Sequence, residues 1–175
     1  MNKITLSKYS LQAALISLLL VPAASMAEWK IVTHTDVDSE TSTQVAYTEN
    51  AEGYSLEIYK DNVGAIRSRF SLSDTLDSFA KRSCPTYQID ARLLDNRSIN
   101  DAPCLTQQDW SEYILGYIVD DNVTSRFLNA LVNGSNITFR YMLDNGNYKE
   151  TGFSLAGSKR ATLTVLGANI SITTP

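Results

Sequence analysis

Short segments of alternating apolar and polar residues, each closed by a cluster of Asp, Asn or Gly, recur along this chain and point to antiparallel β structure. The plainest is Tyr54-Ser55-Leu56-Glu57-Ile58-Tyr59, where a period of two puts Tyr54, Leu56 and Ile58 on one face. The turn Asp61-Asn62-Val63-Gly64 follows, then a partner strand with Ile66, Phe70 and Leu72 inward and Arg67 and Arg69 outward. A second hairpin is predicted from residues 136–143 and 147–155 around Asp144-Asn145-Gly146, with Ile137, Phe139, Tyr141 and Leu143 as its inward row. Residues 29–35, with Trp29, Ile31 and Thr33 on one side, and residues 43–48, 85–91 and 112–119 read as further strands. Asn122 or Thr124 is placed to cap a helix carrying Phe127, Leu128, Leu131 and Val132, with Gly134 as its stop. Residues 95–109, polar and broken by Pro103, read as a long loop, and residues 158–168 suit either a short helix or a strand. The expected fold is mainly β, an antiparallel β-sandwich or barrel-like domain with one or two short helices. Without βαβ alternation, a doubly wound parallel sheet is disfavoured.

The first residues have the parts of an export signal. Lys3 and Lys8 precede an apolar stretch from Leu11 to Val21, and Ser25-Met26-Ala27 supplies a small-x-small cleavage site. That stretch is short for a membrane span, which needs about 20 apolar residues. Cleavage after Ala27 is expected to leave residues 28–175 as a single β-rich exported domain, periplasmic or secreted, with no membrane span. That part carries 19 acidic against 13 basic side chains, a balance that argues against nucleic acid as a partner. Cys84 and Cys104 are its two cysteines, and in an oxidising compartment an even pair reads as a disulfide.

Catalytic constellations are scarce. His34 is the one histidine, on the polar phase of the first strand; a single histidine suffices for a Ser-His-Asp device, but no G-x-S-x-G elbow accompanies it. Asp90, within Tyr87-Gln88-Ile89-Asp90, is the expected buried acid for a carboxylate-dependent hydrolase, yet spacing pairs nothing with it. Asp74, Asp77, Asp95 and Asp101 read as solvated caps. The turns Asp120-Asp121-Asn122 and Asp144-Asn145-Gly146-Asn147 lack the terminal glutamate of a calcium loop. No catalytic, cofactor-binding or metal-binding residue is therefore assigned. Arg67, Arg69 and Arg140 stand in the outward phase of their strands and form a candidate face for an acidic ligand. The plainer alternative is cross-strand pairing with Glu57 or Glu150. Tyr59 and Tyr113 are candidates for an exposed binding face.

Three stretches carry a family likeness. Trp29 opens the first strand; Phe70-Ser71-Leu72 is followed by Pro85-Thr86-Tyr87-Gln88-Ile89-Asp90; and Leu131-Val132-Asn133-Gly134-Ser135-Asn136-Ile137-Thr138-Phe139 precedes Phe153-Ser154-Leu155-Ala156-Gly157 and Ala161. In these the chain resembles the invasion-associated locus B family of small exported bacterial proteins. It departs in having only Cys84 and Cys104, where familiar members carry more cysteines, and in the Lys-Arg at 159–160, where an aromatic is often found. The resemblance implies an exported β-rich protein, associated in some pathogens with invasion, and supplies no catalytic residues. The expected function is non-catalytic interaction with a protein partner. The alternatives are a periplasmic inhibitor or immunity protein that blocks a hydrolase with its 84–104 loop and, more remotely, the carboxylate-dependent hydrolase.

Overall fold

A computed structural model of the chain describes residues 28–36, 41–73, 76–90 and 104–175. The leader expected over 1–27, most of the loop expected over 95–109, and Asp74, Asp95 and Asp101 lie outside these residues. In chain order the elements are β1 (Lys30–Asp36), β2 (Thr41–Glu49), β3 (Ser55–Lys60), β4 (Ala65–Ser71), β5 (Thr86–Ile89), β6 (Cys104–Thr106), β7 (Trp110–Tyr117) and β8 (Asn122–Thr124). There follow α1 (Arg126–Asn133), β9 (Asn136–Met142), β10 (Tyr148–Ser154), α2 (Ser158–Leu166) and β11 (Ser171–Thr173). The larger sheet runs β1-β2-β3-β4-β7-β6, a smaller one runs β10-β9-β5, and both are antiparallel throughout. The fold is mainly β and sandwich-like, with two helices among the described residues, as the alternation predicts.

The two sheets meet through the inward rows read from the sequence. Leu56, Ile58, Ile66 and Phe70 face Ile137, Phe139, Tyr141 and Phe153 in one buried cluster. At its centre Phe70 stacks on Phe139, with ring centroids 4.4 Å apart and planes 8° from parallel. Both rings are fully buried, so truncating either to alanine costs about 3–5 kcal/mol. Helix α1 adds Phe127, Leu128 and Leu131 to this cluster, and α2 adds Ala161 and Leu166.

Two local expectations give way to tertiary pairing. Asn122 and Thr124 do not cap α1, because both belong to β8, which pairs in parallel with β11 and stays extended. Ser125 caps instead, its hydroxyl accepting from the Leu128 amide at 3.2 Å. Residues 104–106, expected as loop, form a strand because the β7 edge offers them a ladder. Residues 158–166 resolve as helix. Cys84 and Cys104 form the expected disulfide, tying β6 to the segment before β5.

Two side chains flanking strands of the larger sheet, Trp29 before β1 and Asn50 after β2, close the free edge of the smaller one. The β9–β10 register leaves the carbonyls of Gly152 and Ser154 pointing away from β9. The Trp29 indole donates to the Ser154 carbonyl at 3.0 Å, and Asn50 Nδ2 donates to that of Gly152 at 3.0 Å. Each removes an open acceptor from an edge that would otherwise template foreign strands.

Candidate functional site

Alternation that buries Leu56, Ile58 and Phe70 necessarily turns the intervening residues to the other side of the larger sheet. Register then assembles them into rows. Tyr47, Glu57, Arg69, Glu112 and Leu105 lie directly opposite one another across β2, β3, β4, β7 and β6. Val45, Tyr59, Arg67 and Ile114 form the next row. An irregularity in the β4–β7 ladder, with Ile66 opposite Gly116 and Arg67 opposite Ile114, skips Leu115 and brings Tyr117 opposite Ala65 on this same face.

Glu112 is the hub of the rows. Its carboxylate accepts from Arg67 Nη1 at 2.7 Å, from Arg69 Nη2 at 2.9 Å and from the Tyr59 hydroxyl. Its side chain is only 5 % exposed, while those of Arg67 and Arg69 are 26 % and 31 % exposed. Burial raises the affinity of the Glu112 carboxyl for its proton, but the hydrogen bonds from Tyr59, Arg67 and Arg69 outweigh this and hold it below the usual carboxylate range. Arg67 also bonds Asp61 at 2.7 Å. The Arg69 guanidinium lies 4.6 Å from the centre of the Trp110 ring and 5.6 Å from that of Tyr59.

Glu57 is the second buried acid of this face, and its situation is the reverse. Only 9 % of its side chain is exposed, and among the described residues no hydrogen bond reaches it. The basic nitrogen within ion-pair distance of it is His34 Nε2, 3.5 Å from Oε1, on a side chain that is 53 % exposed. Burial dominates and pushes the Glu57 carboxyl up, aided by the charge of Glu112; His34 and Arg69 only partly oppose it.

The sequence candidates therefore sort as follows. Arg67 and Arg69 share the outer face, with their charges committed to Glu112 and Asp61. Arg140 is on β9 of the other sheet, bonded to Glu150 and Gln88. Tyr59 joins the face, but Tyr113 points into the core and donates to the Pro85 carbonyl, because its cross-strand partner is the inward Ser68. Asp90 is not the buried acid expected. It sits in a left-handed turn at φ 54°, half-buried, and its Oδ1 accepts from the amides of Ser135 and Asn136 at 2.9 and 3.0 Å. It clamps the end of β5 to the start of β9. Asn145, from the acidic turn before β10, accepts from the Asn147 amide as an ordinary turn residue. Among the described residues no group of three or more His, Cys, Asp or Glu side chains could hold a metal ion.

A surface depression of about 400 Å³ lies between the β2–β3 turn and β10, lined by Asn50, Glu52, Thr138, Glu150 and Gly152. Its carboxylates are already engaged, Glu52 by the Thr151 hydroxyl and Glu150 by Arg140. Exposed apolar side chains instead border the outer face of the larger sheet, with Leu105 on β6 and Ile114 and Tyr117 on β7. No helix among the described residues is long and apolar enough to cross a membrane. No family model, no curated protein and no solved structure matches the chain.

Proposed function

We propose that this is an exported, non-catalytic interaction protein of the invasion-associated locus B type, working at the envelope or on a host surface. It binds a protein partner through the outer face of its six-stranded sheet. The observation that carries this reading is the make-up of that face. Trp110, Tyr59 and Arg69 are stacked together and held by Glu112, beside exposed Leu105, Ile114 and Tyr117. Tryptophan, tyrosine and arginine are the side chains that most often anchor protein interfaces, and here their geometry is fixed before any partner arrives. The Cys84–Cys104 disulfide and the acidic balance suit an exported protein.

The test is affinity capture from envelope and culture fractions of the source bacterium, using the tagged chain as bait. One stoichiometric protein should be recovered by the wild type and by Arg140→Ala on the other sheet, and lost with Leu105→Asp and Ile114→Asp. Both residues are already exposed, so the aspartates do not threaten the core. Equal recovery by the two aspartate variants, or recovery of no protein by the wild type, overturns the reading.

A further inference from the structure

The carboxylates of the outer face are unequally served by its cations. Arg67 is held by Asp61 and Glu112, Arg69 by Glu112 with Tyr59, and Lys30 lies over the Tyr47 ring, so none of these cations hydrogen-bonds Glu57. Each element around it turns a charged or titratable group toward this face. His34 reaches over from β1, Tyr47 lies opposite on β2, Tyr59 is two residues along β3, Arg69 is opposite on β4, and Glu112 lies beyond on β7. None of these donates a hydrogen bond to it: the Tyr47 hydroxyl is given to Glu49, that of Tyr59 to Glu112, and Arg69 to Glu112 and Tyr59. A carboxylate kept nine-tenths buried without a hydrogen bond weakens a fold, as the upward push on its proton affinity also indicates. Stability does not account for it.

We propose that Glu57 is the anchor for a cationic side chain, a lysine or an arginine, presented by the protein partner, and that His34 is the displaceable cover over it. The inference rests on the reading that the protein binds a partner through this face. His34 is suited to the part because half of its side chain already faces solvent, so turning outward costs it little packing and opens Glu57. The incoming cation would enter between Tyr47 and Tyr59, the aromatic neighbours of Glu57 across and along the strands. The chain uses the same chemistry on this face with its own cations, setting Lys30 Nζ 5.0 Å from the Tyr47 ring centre and Arg69 against Tyr59. Charge complementarity agrees, since residues 28–175 carry 19 acidic against 13 basic side chains.

The experiment uses chain labelled at the glutamate side-chain carboxyl carbon and NMR titration with three probes. These are Nα-acetyl-arginine methylamide, Nα-acetyl-lysine methylamide and, as the neutral isostere of arginine, Nα-acetyl-citrulline methylamide. The Glu57 signal should move saturably with both cationic probes, and at least tenfold more weakly with citrulline. His34→Ala should tighten the cationic probes at least twofold by removing the cover. Glu57→Gln, which keeps the shape of the side chain, should abolish the response seen at the Tyr47 and Tyr59 rings. An equal response to citrulline, a response retained in Glu57→Gln, or weaker binding in His34→Ala overturns the proposal. The two readings fail separately. Probes that bind a chain capturing no protein sink the partner and leave the anchor; equal capture by wild type and Glu57→Gln sinks the anchor and leaves the partner.

Discussion

Replacing Glu112 by Gln isolates the electrostatic frame of the outer face. The carboxamide keeps the volume and one acceptor but removes the charge that Arg67 and Arg69 share. Breaking a fully buried ion pair costs about 3–5 kcal/mol. Here the two guanidinium groups are a quarter to a third exposed, and Arg67 keeps Asp61, so water and a second acid recover part of the loss. The expected cost at pH 7 is about 2 kcal/mol. With a urea slope of roughly 1.5 kcal/mol/M, the unfolding midpoint should fall by about 1.3 M. The pH dependence supplies an internal check. Glu112 binds its proton less readily in the fold than in the unfolded chain, so its stabilisation is full above the ordinary value of 4.5 and is lost as pH falls through its lower folded value. The gap between wild type and Glu112→Gln should therefore close as the solution is acidified below 4.5. Glu57→Gln provides the opposite sign. Its folded proton affinity is raised, so ionisation works against folding as pH rises above 4.5, and the variant should be at least as stable as wild type at pH 7. A midpoint change below 0.3 M, roughly 0.5 kcal/mol, for Glu112→Gln refutes the reasoning, as does a gap that persists unchanged in acid.

Two further perturbations test the packing. In Gly134→Ala the new methyl would meet Ile89 Cγ2 at 2.6 Å and the Ala130 carbonyl at 2.8 Å, at a φ of −85° that any residue tolerates. The cost is overpacking, about 2 kcal/mol, and calorimetry should show Tm lowered by about 6 °C; a drop under about 1 °C would contradict it. The double change Cys84→Ser and Cys104→Ser frees a cross-link spanning 20 residues, and denaturation should then register a loss of about 3 kcal/mol. Wild type treated with reductant should match the variant, and a reduced wild type of undiminished stability would remove the staple from the account.

What the sequence makes legible here is local. The hairpins holding β3–β4 and β9–β10 declare themselves because strand, turn and strand are contiguous, and period-two alternation already separates Phe70 and Phe139 from Arg69 and Arg140. The parallel pairing of β8 with β11 joins segments 49 residues apart in sequence, so nothing near Asn122 announces that it is strand rather than cap. Tyr113 looked like a surface residue because an aromatic, apolar run does not say which phase is inward; its register with Ser68 decides that. The pairing of arginine with a glutamate was foreseeable, but the glutamate that does it, Glu112, belongs to a strand about 40 residues further on. The contrast between Glu57 and Glu112 is a property of several strands in register, since the partners each carboxylate has or lacks stand on neighbouring strands.

The bond from the Trp29 indole to the Ser154 carbonyl joins residues 125 apart in sequence. A chain that emerges N-terminus first from a ribosome must therefore hold Trp29 without this partner until Ser154 has followed. This fastening of the smaller sheet's edge therefore comes only after the larger sheet and β9 have been made. Closure of this edge is thus a late, long-range event that local pairing cannot hasten.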